Sequence, residues 1–410
     1  MIEKKNVLYI SYDGMTDPLG QSQVIPYLVT LSERGFAFTI LSFEKKDRYA
    51  QRKDQIKAIL DSAGIRWEPL MYTKSPPVLS TLYDYYRMKR TASGLHRSMN
   101  YSLVHCRSYI PALAGLVLKR KYNLPFVFDM RGFWADERVD GQLWNLKNPL
   151  FKTIYRFFKK KEIEFINQSA AIVSLTNAAK SEILKWKNLQ VEPAKITVIP
   201  CCVDTALFDL DKVTTDQQQL VRQRLRISND TFVLGYLGSI GTWYMLDDML
   251  QFFKSLKREI AGAKFLFITE DDPENITEKA RQFDISTEYI IITKAERKEV
   301  PLMISLFSYG IFFIKPAYSK IASSPTKQGE IMAMGIPVIC NSGVGDSDHI
   351  VGMYNSGFVV PVNDYDAVMK EISTANFDKQ QIRKGAIDYF SLDKGAIEYL
   401  NVYNSLLNAV

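Results

Sequence analysis

Histidine and cysteine are scarce in this chain of 410 residues, which contains three histidines and four cysteines. A metal site built on histidine is therefore not expected. The cysteines form no C-x-x-C pair, the spacing typical of zinc or redox sites, and they are too few for a disulfide framework. We therefore expect reduced thiols and a cytoplasmic location. The four are Cys106, Cys201, Cys202 and Cys340.

Long apolar runs are also missing. The longest, residues 110–118, reaches about half of the ~20 residues that a membrane-spanning helix needs. Residues 1–5, three of which are charged, lead directly into an apolar strand pattern and do not resemble a signal peptide. Contact with a membrane would accordingly be peripheral, on its inner face.

The composition is that of a globular protein, with 47% apolar and 24% charged residues. The length favours two or three domains. Residues 1–200 carry 31 Lys and Arg against 18 Asp and Glu, whereas residues 201–410 carry 21 against 27. A basic first half predicts an acidic partner such as anionic lipid, nucleic acid or a phosphorylated acceptor.

Short apolar runs alternate with helical patterns along the chain, which predicts parallel sheets covered by helices on both faces. Two such series follow one another. The predicted strands are residues 7–11, 38–43, 103–105, 126–128 and 171–174 in the first series, and 232–237, 264–268, 289–292, 309–314, 337–340 and 357–360 in the second. We predict an α/β protein with two Rossmann-like, doubly wound domains facing across a cleft, where such sheets bind ligands. The first domain comprises residues 1–200 and a C-terminal helix at 390–410 that crosses back to it, and the second comprises residues 201–389.

Residues 323–339 form the most informative stretch, because a Ser/Pro loop leads there into a helix. Free backbone N–H groups at a helix start suit a phosphate. One turn inside the helix, the carboxylate of Glu330 could accept hydrogen bonds from the two hydroxyls of a ribose, as a carboxylate does in dinucleotide sites. Alternatively, Glu330 is a solvated residue paired with Lys327 three positions earlier.

The run from Ser324 through Lys327 to Glu330, followed by residues 333–339, resembles the donor-binding signature of family 4 glycosyltransferases, which are retaining enzymes with the GT-B fold. Three other regions agree in order and spacing, so the likeness covers essentially the whole chain. They are residues 11–22, 196–204 and 389–391.

The resemblance implies that the second domain binds a nucleotide-sugar donor and that the first binds the acceptor. Glu330 matches the second glutamate of the family's E-x7-E motif, the one placed on the donor ribose. Ala322 stands where the first glutamate would be, so the contacts to the transferred sugar depart from the family pattern.

A second departure concerns the diphosphate. Many relatives carry an Arg and a Lys after the strand that ends at residue 237, where this chain has Gly238, Ser239 and no cation. We expect backbone donors of this loop to bind a phosphate, together with Ser324 and Thr326. Lys315 and Lys327 are the expected phosphate cations, although both could instead be ordinary surface lysines.

In the first domain, Asp129, Arg131 and Glu137 follow the strand at residues 126–128, where a ligand site is expected. Arg131 stands where many relatives have a histidine. It cannot act as a base, but it can bind a phosphate or carboxylate. Asp129, Asp136 or Glu137 could accept the acceptor's proton, or Asp129 and Arg131 could form a buried pair that only orders the loop.

Other candidate positions lie on the acceptor side. Gly14 and Gly20 follow the first strand and either admit a ligand or form a simple tight turn. His105 and Arg107 follow another strand, where a lone histidine is more often structural than catalytic. Residues 147–165 mix cations and aromatics, which is typical of a helix on an anionic membrane and equally of a core helix with a basic outer face.

We expect a retaining, hexosyltransferase-type enzyme that moves a sugar from a nucleoside diphosphate to a hydroxyl of a glycan, lipid-linked or small-molecule acceptor, in cell-surface polysaccharide or glycolipid synthesis. No cofactor or metal is expected. Nucleic acid is not an expected partner, whereas an anionic membrane surface is a candidate. Two alternatives remain open: a nucleotide-sugar epimerase of the same fold, and a non-catalytic, basic membrane- or nucleic-acid-binding relative.

Overall fold

The computed structural model describes residues 4–361 and 365–407. The chain divides into two compact units. One is formed by the chain up to Pro200 together with the chain from Leu392 onward, and the other is Cys201–Ser391. Each unit contains one parallel β-sheet, so the predicted fold class of two Rossmann-like α/β domains is confirmed.

The first unit is built on a seven-stranded sheet in the order β3-β2-β1-β4-β5-β6-β7, in which every described pairing is parallel. Its strands are β1 Lys5–Ser11, β2 Phe36–Glu44, β3 Arg66–Met71, β4 Leu103–Arg107, β5 Phe126–Asp129, β6 Ala171–Ser174 and β7 Ile196–Val198. The strand order reverses between β1 and β4, the point at which open sheets of this kind bind ligands.

Helices separate these strands. They are α1 Pro18–Gln23, α2 Ile25–Ser32, α3 Lys46–Ser62, α4 Leu79–Met99, α5 Tyr109–Tyr122, α6 Trp134–Asp140, α7 Pro149–Gln168 and α8 Asn177–Ile183, with a 3₁₀ turn at Pro193–Lys195. The central strands β4 and β5 are buried throughout, as expected for a parallel sheet covered by helices on both faces. Their residues are apolar apart from His105 and Arg107 in β4 and Asp129 at the end of β5.

The second unit has a six-stranded parallel sheet in the order β10-β9-β8-β11-β12-β13, which reverses between β8 and β11. Its strands are β8 Val233–Leu237, β9 Lys264–Ile268, β10 Ile290–Thr293, β11 Tyr309–Phe312, β12 Val338–Asn341 and β13 Gly357–Val360. Its helices are α9 Thr215–Arg224, α10 Leu246–Glu259, α11 Pro273–Gln282, α12 Val300–Ile304, α13 Thr326–Ala333, α14 Ser347–Tyr354, α15 Asp366–Thr374 and α16 Lys379–Phe390. Three 3₁₀ turns lie at Leu210–Lys212, Thr287–Tyr289 and Tyr318–Ala322.

The last helix, α17 at Leu392–Leu407, belongs to the first unit, where it packs against α2. Its buried Tyr399 and Tyr403 insert beside the ring of His105, with ring centroids 5.5 and 5.9 Å away. The C-terminal helix therefore completes the core of the first unit and brings two hydroxyl groups next to a strand end.

Candidate functional site

The strongest candidate site lies at the start of α13, beside the reversal point between β8 and β11. The helix begins after Pro325, whose extended backbone suits a position before a helix, and it ends before Gly335 at φ 68°. Both α13 and the strand that follows it are buried. The helix start is therefore fixed firmly to the sheet.

Glu330 lies one turn inside α13 and is buried. Its carboxylate accepts a charged hydrogen bond from Nη1 of Arg297, whose guanidinium lies 4.6 Å from the ring centre of Phe208. Burial raises the pKa of Glu330, while Arg297 and Lys327 oppose that rise. The alternative of a solvated Glu330 paired only with Lys327 is wrong.

Lys327 is buried as well, which excludes a surface lysine at this position. Its Nζ donates a 2.9 Å hydrogen bond to the Tyr236 hydroxyl and lies 4.0 and 3.6 Å from the ring centres of Tyr236 and Tyr244. Burial holds the pKa of Lys327 well below its ordinary value. The Lys327 ammonium thus lies among aromatic rings, with few acidic groups near enough to offset its charge.

The loop after β8 passes directly over this lysine. A side-chain Cβ built on Gly238 would lie 3.5 Å from the Lys327 Nζ, so the two predicted phosphate elements meet. Gly238 has φ 102°, a conformation that only glycine adopts without strain. Ser239 is exposed, and its Oγ accepts a hydrogen bond of 3.2 Å from the Gly241 N–H. The loop has no cation of its own, and Lys327 of α13 is the cation that lies beside it.

One amide of the same loop is already bound to a carboxylate. The Ile240 N–H donates to Oδ2 of Asp271, which follows β9. Asp271 was not among the residues expected at this site. Within the described residues, no group of three His, Cys, Asp or Glu side chains could hold a metal ion. The contact shows that this loop presents an amide to an anionic oxygen.

The other predicted donor-side residues surround this centre. The Oγ of Ser324 accepts a hydrogen bond of 3.1 Å from the Cys201 N–H, and Thr326 is the first residue of α13. Lys315 follows β11 and is exposed, as a surface lysine would be. Ala322, at the position of the absent glutamate, is buried in a 3₁₀ turn.

In the first unit, His105 and Asp129 form a buried polar cluster with the C-terminal helix. Rings of His105 and Tyr9 stack at 4.5 Å, the His105 Nδ1 lies 2.7 Å from the Tyr403 hydroxyl, and its Nε2 lies 3.3 Å from Oδ2 of Asp129. The Tyr399 hydroxyl donates to the same Oδ2 at 3.1 Å. Burial lowers the pKa of His105, which favours the neutral imidazole. These contacts fix the loop that follows β5.

Arg131 is held at φ 55° in that loop, with its Nη1 3.9 Å from Oδ1 of Asp129. Burial alone would raise the pKa of Asp129, but Arg131, followed by His105 and Arg107, brings the pKa below its ordinary value. Asp129 is therefore a carboxylate enclosed by protein groups, in the manner of the loop-ordering pair considered above.

Asp136 and Glu137 differ in their surroundings. Asp136 is buried and accepts hydrogen bonds of 2.8 Å each from the Tyr155 hydroxyl and the Lys159 ammonium, which bind α6 to α7. Glu137, in the first turn of α6, is only half-buried. Of the proposed proton acceptors in this segment, Glu137 is thus the more open to solvent.

The buried Glu44, which the sequence pattern did not single out, is hydrogen-bonded to the loop after β1. The Glu44 carboxylate accepts hydrogen bonds from the Met15 and Thr16 N–H groups at 2.7 and 3.0 Å. A Cβ on Gly20 would lie 2.2 Å from the Gly14 carbonyl oxygen, so the glycines allow the loop to fold upon itself. Arg107 is buried, and its Nη1 lies 4.0 Å from Oδ2 of Asp13.

The second unit thus brings a buried carboxylate and a buried ammonium to the start of one helix, beside the reversal point of its sheet. Residues 21–207 match the model for Glycosyltransferase Family 4, and residues 217–386 match the model for Glycosyl transferases group 1. The chain belongs to family 4 of the glycosyltransferases and has the GT-B fold.

Individual relatives agree with this membership. The capsular polysaccharide biosynthesis glycosyltransferase CapM of Staphylococcus aureus is 24% identical over 247 residues, which cover 58% of this chain and 62%, less than two thirds, of CapM. A glycosyltransferase from Rickettsia africae ESF-5 has 16% identity and a TM-score of 0.72, covering 98% of this chain and 99% of that one. Anabaena HepE in complex with UDP and glucose has 12% identity and a TM-score of 0.69, covering 98% of this chain and 100% of HepE. Both structures share the fold.

Proposed function

We propose that this protein transfers a hexose from a nucleoside-diphosphate sugar to a hydroxyl of a glycan or lipid-linked acceptor, with retention at the anomeric carbon. The observation that carries the proposal is the position of Lys327 and Glu330, one turn apart on α13, with the Lys327 ammonium beside Gly238. A cation at the phosphate loop and a carboxylate one helical turn away match the order of diphosphate and ribose in such a donor.

The diphosphate would bind at the start of α13. The free N–H groups of the first turn and the positive end of the helix dipole favour an anion there. The hydroxyls of Thr326 and Ser324 and the backbone of Gly238 and Ser239 add donors. Lys327 lies beneath them, and the exposed Lys315 can approach from the end of β11. For a phosphate oxygen to use the Ile240 N–H, it must displace the Asp271 carboxylate.

The ribose would bind at Glu330. Because Arg297 holds Oε1 of this carboxylate, Oε2 is oriented and left to accept from a ribose hydroxyl. The loop containing Arg297, residues 293–303, then lies on the side of the nucleobase. This arrangement gives Arg297 a positioning role, exerted through Glu330.

The transfer step breaks the bond between the anomeric carbon and the leaving phosphate oxygen and forms a bond from that carbon to the acceptor oxygen. The acceptor's proton passes to an oxygen of the departing diphosphate, so no histidine base is needed. Lys327 and the α13 amides stabilise the negative charge that develops on the diphosphate. Among the acceptor-side residues of the first unit, Arg131 is suited to an anionic acceptor and Glu137 to a hydroxyl.

Two comparisons guide the choice of substrates. The description of CapM, as a capsular polysaccharide biosynthesis glycosyltransferase, supports an acceptor from cell-surface polysaccharide synthesis. The structure of HepE holds UDP and glucose, which supports a UDP-sugar as the first donor to try.

The decisive experiment combines a donor screen with product analysis. A panel of UDP-, GDP- and ADP-sugars is tested by thermal shift, and the stabilising donor is incubated with glycan and lipid-linked acceptors. NMR of the product should show the same anomeric configuration as the donor. Inversion would contradict the retaining mechanism, interconversion of the donor sugar without an acceptor would favour the epimerase, and stabilisation by no donor would contradict the proposal as a whole.

Removing the partner of Glu330 should change the pH dependence of donor binding. Burial already raises the pKa of Glu330, and loss of the Arg297 cation raises it further. A protonated carboxyl accepts ribose hydrogen bonds poorly. As the pH is lowered, Arg297→Ala should therefore lose donor binding at a higher pH than the wild type does. Dissociation constants of the nucleoside diphosphate from about pH 5 to about pH 8 measure this effect. Arg297→Lys is the control that retains a cation, and superimposable profiles for wild type and Arg297→Ala would contradict the positioning role.

A further inference from the structure

Helix α4 has two apolar faces, and only one of them is packed against the protein. The packed face carries the buried residues of the helix, which are Ser80, Asp84, Met88, Ala92 and Leu95. The opposite face carries large side chains, each with between 53% and 63% of its surface exposed. These four residues, Leu79, Leu82, Tyr83 and Tyr86, are called here the outer face of α4.

The spacing of the outer face is that of a contact surface. Its members follow one another at i, i+3, i+4 and i+7, so they form one continuous stripe over two turns. At 3.6 residues per turn, this stripe lies diametrically opposite the buried one. Met71 and Tyr72, just before the helix, are exposed large side chains as well. Single exposed apolar residues are common, but an ordered stripe is typical of an interaction site.

The chain segment that carries the outer face has exposed charges of one sign. Residues 69–128 contain nine Lys and Arg and a single acidic residue, Asp84. Asp84 accepts hydrogen bonds from Tyr12 and Thr73 and forms an ion pair with Arg87. Because Asp84 is buried, no acidic side chain of this segment is exposed. The nine cations are Lys74, Arg87, Lys89, Arg90, Arg97, Arg107, Lys119, Arg120 and Lys121.

Three of these cations border the stripe directly. The Arg87 guanidinium lies 5.4 Å from the Tyr83 ring centre on one side, and the Lys89 ammonium lies 5.5 Å from the Tyr86 ring centre on the other. Arg90 is exposed one turn beyond Tyr86, on the same face. The leucines and tyrosines of the outer face are thus bordered by positively charged side chains.

We propose that the outer face of α4 docks on an anionic lipid bilayer. The leucines would enter the boundary of the acyl chains, the tyrosine rings would lie at headgroup level, and Lys89 and Arg90 would contact lipid phosphates. The one-signed charge selects an anionic bilayer over a protein partner, whose surface would carry both signs. The proposal is independent of the donor site, which lies in the other unit.

Helix α7, the basic helix considered for this role from the sequence, is less suitable. Two of its five cations form ion pairs within the protein: Lys159 with Asp136 and Glu162, and Lys161 with Glu164. Two of its large aromatic residues, Phe158 and Phe165, are buried. These contacts favour the core-helix alternative for α7, and we therefore assign the membrane contact to α4.

Co-sedimentation of the full chain with lipid vesicles tests the proposal. The wild type should bind vesicles of phosphatidylcholine with about 30% phosphatidylglycerol and release them as salt is raised, but bind little to phosphatidylcholine alone. The variants Leu79→Ser with Leu82→Ser, and separately Lys89→Glu with Arg90→Glu, should each bind at least about tenfold more weakly. Leu220→Ser is the matched control, because Leu220 is an equally exposed leucine, at 65%, on α9 of the other unit.

Unchanged vesicle binding in both α4 variants would overturn the proposal, as would equal binding of the wild type to neutral vesicles. A wild-type dimer that either variant dissociates, measured by light scattering without lipid, would assign the outer face to a second copy and would also overturn it. Leu79, Leu82 and Arg90 are exposed and Lys89 is half-buried. The charge variant keeps the test valid if the leucine variant fails to fold. Donor-induced thermal shifts should be the same in all variants, which separates this test from that of the proposed function.

Discussion

Glu330→Gln should bind the nucleoside-diphosphate donor about a hundredfold more weakly than the wild type. A buried carboxylate that accepts hydrogen bonds from a ribose contributes about 1.5–3 kcal/mol for each bond. A glutamine offers one neutral oxygen and turns an N–H₂ group toward hydroxyls that need acceptors. The loss of the ion pair with Arg297 adds to the effect, because the side chain at 330 is no longer oriented.

The fold itself should tolerate this change. Because burial raises the pKa of Glu330, the folded protein binds its proton more tightly than the unfolded chain does, and the ionised group destabilises the native state as pH rises. A neutral amide removes that penalty, while Arg297, with a side chain that is 45% exposed, can turn toward water. We expect the free energy of unfolding at neutral pH to change by about 1 kcal/mol or less.

Calorimetric titration with the donor and chemical unfolding of the same preparations measure both quantities. Glu371→Gln, an exposed glutamate on α15, is the matched control and should match the wild type in each. Equal donor affinity in Glu330→Gln and the wild type would contradict the ribose assignment. A large loss of stability would show instead that Glu330 acts mainly in the structure.

The central strands of both sheets could be predicted because parallel sheets with two covered faces need continuous apolar runs. Ala171–Ser174, Lys264–Ile268 and Gly357–Val360 agree with the predicted strands at both ends. The edge strand Arg66–Met71 was missed, since it is partly exposed, contains Pro69 and has no such run. Its identity as a strand comes from pairing with β2, which no local pattern shows.

One predicted helix was wrong for a local reason. The apolar spacing of residues 22–34 predicts one helix that ends before Gly35, whereas the structure has helices at Pro18–Gln23 and Ile25–Ser32, broken at Val24. Pro26 has no N–H to donate to residue 22, so a continuous helix would have lost a hydrogen bond at this point. The apolar spacing predicted a helix correctly, but the proline decided where it begins.

The candidate site was predictable to the extent that its residues lie close in sequence. Lys327 and Glu330 share one helix, and Lys327 approaches Gly238 because β8 and β11 are neighbouring strands. Arg297 and Asp271 were not identified, because each contact joins residues about thirty positions apart and depends on how loops leave different strands. The one available signal was an arginine within residues 293–303, the loop that we place on the side of the nucleobase.

Lys327→Met should separate stability from donor binding. The ammonium is buried, and its pKa is well below the ordinary value because of burial, so the charged lysine destabilises the folded state at neutral pH. Methionine has a similar length and no charge, and the Tyr236 hydroxyl keeps its hydrogen bond to the Ser239 carbonyl. We expect the variant to be more stable by about 1–3 kcal/mol. This gain should shrink as pH rises toward the ordinary lysine value, because the penalty disappears once the lysine is neutral in both states.

The same substitution should lower transfer by about a hundredfold or more, since the diphosphate loses the cation that opposes its developing charge. Donor binding should also differ between the two proteins in the number of protons taken up. A diphosphate next to Lys327 raises the depressed pKa of the ammonium, so the wild type should take up protons when it binds the donor, whereas Lys327→Met should not. Calorimetry in two buffers of different ionisation enthalpy measures this uptake. Lys370→Met, which removes an exposed cation on α15, is the control for net charge. Proton uptake that persists in Lys327→Met, or a variant that loses stability and keeps full transfer, would place the diphosphate elsewhere.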